Sequence, residues 1–146
     1  MVEGVGEEMT ARAFDIMDEL PAIFATVTGI DAADVEIGYR DPAGIEQDDL
    51  PRVLVYNPTT EEPEAPSYGL RSIEYGYAIL VINSVSEDGV TDEATFELCE
   101  QMAVALSAAA LTNADTAYMN PGSLIQSEDD RRSIVGAFLF AQWEGL

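Results

Sequence analysis

Two hydrophobic periods divide the chain. From Glu7 to about Val27, Met9, Ala13, Ile16, Leu20 and Ile23 recur at spacings of four and three, one face of a 3.6-residue helix. Thr10 is its candidate N-cap. Pro21 lies inside the pattern and is expected to kink or split the helix, because proline removes a backbone donor. The period then shortens to two. Val35, Ile37 and Tyr39 alternate with Glu36 and Gly38, as in a short half-buried strand. "DPAGIEQDDLP" reads as loop and "RVLVYN" as a compact strand. "PTTEEPEAPS", with three prolines and three glutamates in ten residues, reads as an exposed mobile loop at about residues 57–67.

Tyr68 to Ser84 is the longest strand signal. Ile73, Tyr75, Tyr77, Ile79 and Val81 share one face, and Ser72, Glu74, Gly76 and Ala78 the other. Leu80 and Ile82 then make the far end apolar on both sides, which predicts a central or covered strand. A second helix follows over about Asp92–Leu111, with Thr91 or Asp92 as cap and Asp92 and Glu93 at the positive end of its dipole. Its predicted buried stripe is Phe96, Cys99, Ala103, Leu106 and Ala110. "TAYMNPGSLIQSEDDRRSIVGAFLFAQWEG" gives a short strand, a Pro-Gly turn, another short strand and a long final strand. The order predicts one α+β domain over residues 1–146. Its sheet is mostly antiparallel, with two main helices on one face and long central and C-terminal strands.

The final strand is apolar on both faces. Ile134, Gly136, Phe138, Phe140 and Gln142 share one, and Val135, Ala137, Leu139, Ala141 and Trp143 the other. One side can pack under the helices. A domain with two helices has little left to cover the other, and an exposed apolar face of this kind marks an interface.

Charge changes the picture next. Twenty-eight acidic residues face six basic ones, for a net charge of −22, and all six basic residues are arginine. Such a charge repels itself at ordinary ionic strength. At about 1 M salt the Debye length falls to about 3 Å and the repulsion is screened. The composition therefore suits a salt-saturated cytoplasm, that of a haloarchaeal cell or of its virus. It argues against tight binding of nucleic acid, which needs a basic patch. "MVEGVGEEMT" shows no signal peptide, and no uncharged stretch reaches the roughly 20 residues that span a bilayer.

Chemistry is sparse. Without histidine, Ser-His-Asp, Cys-His and histidine-metal sites are excluded. Cys99 falls on a helix stripe and reads as a small core residue. Gly4-x-Gly6 lacks the third glycine and preceding strand of a dinucleotide site. The carboxylate pairs Glu7-Glu8, Asp48-Asp49, Glu61-Glu62 and Asp129-Asp130 read as solvated acidic surface. No enzymatic activity, cofactor or metal is expected. The scarce arginines either pair with carboxylates of their own subunit or clamp those of a neighbour. On this reasoning Arg71, Tyr75, Tyr77, Arg131, Arg132, Phe138, Phe140 and Trp143 are the candidate subunit-interface residues. The alternative for the tyrosines is cross-strand packing.

Four passages, "FDIMDELPAIF", "DDLPRVLVYNPTTEE", "RSIEYGYAILVI" running to "TDEATFELCEQMAVAL", and "RRSIVGAFLFAQWEG", together resemble the tail terminator and tail-completion proteins of long-tailed viruses. The resemblance covers nearly the whole chain. It implies a structural virion protein assembled in the host cytoplasm, in a homo-oligomeric ring at the head–tail joint, usually a hexamer. It also implies a tail-tube protein and a head-completion protein as partners, DNA passing through the lumen without tight binding, no membrane and no catalytic residue. An acidic lumen would repel phosphate and let DNA slide. Two alternatives stand beside it: a head-completion or adaptor protein of the same neck, and a halophilic cytosolic α+β domain that binds a small molecule.

Overall fold

The two long alternating segments pair with each other along their whole length, and the rest of the molecule is built around them. A computed structural model describes residues 2–62, 71–85, 91–120, 122–125 and 132–145. The elements in chain order are α1 (Val2–Phe24), β1 (Val35–Ile37), β2 (Arg52–Glu61), β3 (Arg71–Ser84), α2 (Thr91–Ala108), β4 (Thr116–Met119), β5 (Ser123–Ile125) and β6 (Arg132–Gly145). The sheet runs β1-β2-β3-β6-β4, with β5 also paired to β6. β1 lies parallel to β2 and every other pairing is antiparallel. This is the expected α+β architecture.

β3 and β6 align from Arg71↔Gly145 to Ser84↔Arg132 without a slip. Side chains alternate across a strand, so unbroken register sends each strand's odd positions to one face. Ile73, Tyr75, Tyr77, Ile79 and Val81 meet Val135, Leu139 and Ala141 there, under α1 and α2. α1 contributes Ala13, Ile16, Met17, Leu20 and Phe24, all buried. The buried stripe of α2 is Thr95, Cys99, Met102 and Leu106: Cys99 and Leu106 are buried as expected, whereas Phe96 and Ala103 are half-buried and Ala110, past the end of the helix, is exposed. A buried threonine is invisible to a count of apolar residues, so Thr95 escapes the pattern.

Three other expectations change. Helix α1 begins at Val2, so Thr10 lies within it rather than capping it, and it continues through Pro21 to Phe24. The bond that proline forfeits falls in the last turns, and Ala25 N–H still donates to the Pro21 carbonyl at 3.0 Å. β2 does not stop at Asn57. It shifts register between Tyr56 and Thr59, with Asn57 at φ 55°, and pairs with β3 again as far as Glu61↔Glu74. A bulge absorbs the extra residue, and Pro58 is tolerated because that side of the strand is an edge. The remainder of the expected loop, residues 63–67, with Tyr68 and Arg131, lies outside the described residues.

Fastenings between elements come from single polar groups. Tyr77 donates its hydroxyl to the Ala13 carbonyl at 2.6 Å. Glu19 of α1 accepts from the Thr112 and Asn113 N–H groups, at 2.6 and 3.1 Å, and from Asn113 Nδ2 at 3.1 Å. Ser133 donates to Asp92 Oδ1 at 2.6 Å, joining the start of β6 to the start of α2.

Candidate subunit interface

Among the described residues, no helix lies over the even face of the sheet. One end is covered by the segment between β1 and β2: Ile45 packs with Leu54, Leu80, Ile82 and Ile134 in a second small core. Arg132 holds that cover down by donating from Nη2 to the Ile45 carbonyl at 2.6 Å. Beyond it the cover ends. The register then stacks two rows across the sheet, Tyr56, Ala78 and Phe138, then Thr59, Gly76, Phe140 and Tyr118. None of these residues is charged, in a chain of which 23% is. The next row, Glu61, Glu74, Gln142 and Thr116, is polar.

Within these rows Phe138 is 58% exposed and Tyr118 50%. Tyr118 and Phe140 stack with ring centroids 5.4 Å apart. The Phe140 ring lies over Gly76, where a Cβ would come 2.6 Å from Thr59 Oγ1 and 3.6 Å from the ring. On the far edge Tyr39, 61% exposed, packs at a tilt against Tyr56 with centroids 5.1 Å apart. Burial pushes the Tyr56 hydroxyl above its ordinary value, with the Tyr39 phenol adding to the shift. The face is thus an uncharged aromatic band with small residues at its centre.

Of the residues expected at an interface, Phe138 and Phe140 lie on this band. Tyr75 and Tyr77 do not. They sit under the helices, almost wholly buried, and are corrected to core residues. Their alternation was legible, but not which face the helices would take. Trp143 shares the helix face and is half-buried, with the Arg12 guanidinium 4.0 Å over its ring. Arg71 forms a fork with Glu62 of its own chain, both contacts at 3.0 Å, and Arg132 is engaged with Ile45. Arg52 and Arg40 likewise find partners within the chain, in Ala33 and Glu36. Each described arginine thus has a partner within its own chain. Tyr39, Tyr56 and Tyr118 were missed as members of the face; the alternation of "TAYM" was the available signal for the last.

Other chemistry is weak. Cys99 is buried, and burial raises its thiol pKa, with the Glu100 charge adding. No three metal-ligating side chains cluster among the described residues. A groove of about 450 Å³ between Thr26–Thr28 and Glu97–Ala105 is lined largely by exposed side chains. Among the described residues no helix is long and apolar enough to cross a membrane.

No family model and no curated protein matches the sequence. Solved structures do. A chain from the virion of a native gene transfer agent particle superposes with a TM-score of 0.55 at 13% identity, over 85% of this chain and 86% of that one. The two chains share a fold. At that identity the likeness lies in the path of the backbone.

Proposed function

We propose that the chain is a structural subunit of a virus-like particle, one member of a homo-oligomeric ring at the head–tail joint. There it terminates the tail tube and joins it to the head-completion complex, with DNA passing through an acidic lumen. The observation that carries this reading is the uncharged aromatic band on the open face of the sheet. Copies that each bring a charge of −22 repel almost everywhere else. Exposed apolar patches rimmed by polar residues mark protein contacts. The shared fold with a chain of the gene transfer agent particle supports the same reading, since that protein is part of a virion. The lysine-free acidic composition supports assembly in concentrated salt.

The test has two parts. Sedimentation in ~3 M KCl, where screening is nearly complete, should reveal a closed oligomer or a monomer in exchange with one. Immunogold labelling of purified particles should mark the head–tail joint. A stable monomer whose melting shifts with a small ligand would favour a cytosolic binding domain instead.

A further inference from the structure

Among the described residues, both edges of the sheet are open at one level. On one side β1 pairs only with Val53–Val55, while β2 continues to Glu61. Among the described residues nothing pairs with the outer side of Thr59–Glu61, and all three are exposed. On the other side β4 is the outermost strand beyond β6. The register places the two edges in the same row: Thr60 pairs with Tyr75, Tyr75 with Ala141 and Ala141 with Ala117.

Backbone groups in an antiparallel ladder point alternately to one neighbour and the other. Asn120 N–H donates to the Phe138 carbonyl at 2.9 Å and Gly38 N–H to the Val55 carbonyl at 2.8 Å. Counting along the register from these bonds, Thr116 and Tyr118 turn their backbone groups towards β6, and Ala117 turns its own outward. Gly76 and Glu74 face β2, which leaves Thr60 outward on the opposite edge. Each edge thus offers an N–H and a C=O in the same row. β4 also runs antiparallel to β2, so a copy carried round an axis along the strands meets β2 in the antiparallel sense. Natural edges are blunted by charge, proline or a cover. Thr116–Met119, "TAYM", has no charge and no proline.

A separate observation points to the same seam. Two aromatic pairs flank the two open edges, Tyr39–Tyr56 beside β2 and Tyr118–Phe140 beside β4. Joining the edges extends the sheet and brings one pair beside the other.

We infer that β4 of one copy adds to the free end of β2 of the next, with Ala117 opposite Thr60, so that the sheets join head to tail. Such a contact is heterologous and repeats from copy to copy, making a ring when the rotation closes. It rests on the ring reading above and names its seam. The test uses the full-length chain in the salt that supports assembly. A Thr60→Cys, Ala117→Cys double variant, treated with a short bis-maleimide, should yield a covalent ladder of dimer, trimer and higher species. Each single variant should yield none. Ala117→Pro, which removes the outward N–H, should lose assembly at least tenfold while keeping its far-UV spectrum. Dimers from Ala117→Cys alone would mean that β4 pairs with β4, and would overturn the seam. A ring that forms without the ladder would overturn the seam but not the ring. A ladder from a chain that never labels particles would sink the virion reading and keep the seam.

Discussion

Phe138 and Leu139 are neighbours in β6 that point to opposite faces, so substituting each one separates assembly from folding. Phe138 is 58% exposed and Leu139 is fully buried. For an aromatic side chain of roughly 200 Å², that exposure leaves about 120 Å² to be covered, worth up to ~3 kcal/mol at ~25 cal/mol/Å². Half to full coverage corresponds to roughly 10- to 150-fold in the dissociation constant of each contact. Phe138→Ser should weaken assembly by that factor and change monomer stability by only about 0.5 kcal/mol, as at other exposed sites. Leu139→Ala should cost about 2–5 kcal/mol of folding stability, lowering the melting midpoint by roughly 5–15 °C. Sedimentation velocity measures the first effect and circular-dichroism melts the second, both in the same concentrated KCl. Phe138→Ser that assembles like the parent, or melts as low as Leu139→Ala, would refute the division of the strand into a core face and a contact face.

Tyr77→Phe removes the hydroxyl bonded to the Ala13 carbonyl and should cost about 1 kcal/mol in a chemical denaturation series. Burial, and secondarily Tyr75, pushes the Tyr77 pKa well above its ordinary 10.0. Above pH 10 the unfolded chain therefore releases a proton that the folded chain keeps, so stability is full below pH 10 and falls as pH rises past it. That alkaline loss should be smaller in Tyr77→Phe, and an unchanged slope would contradict it. Glu19→Ala strips three donors at Thr112 and Asn113 of their acceptor and should cost about 1–3 kcal/mol, with Glu19→Gln less damaging; equal melts for the two variants would argue against that role. Cys99 should resist thiol reagents in the folded state and react at the rate of unfolding, which mass spectrometry over a denaturant series would check.

Much of the fold was legible because β3 and β6 are long, rich in β-branched and aromatic residues, and pair without a slip. Fourteen residues in register leave one consistent choice of faces. Illegible were features decided by a single residue or by distant chain. The covering of Leu80 and Ile134 depends on Ile45, which arrives from a loop and is held by Arg132. β2 crosses Pro58 because a bulge and a free edge absorb it, and proline statistics alone point to a loop. Which face the helices would take, and so whether Tyr77 or Phe138 would be buried, cannot be read from an alternation that is apolar on both sides. The open band was half legible for the same reason: Phe138 and Phe140 share a face in the sequence pattern, whereas Tyr56 joins them only through the pairing of β2 with β3, and Tyr39 only by packing on Tyr56.

Molecular mass in solution tests the central claim most directly. Sedimentation equilibrium should be run as KCl rises from ~0.1 M to ~1 M and beyond, shrinking the Debye length from about 10 Å to about 3 Å. The expected result is a passage from the 15.8 kDa chain to one closed multiple of it as the carboxylates are screened. A mass that stays at 15.8 kDa at every salt and protein concentration would contradict it.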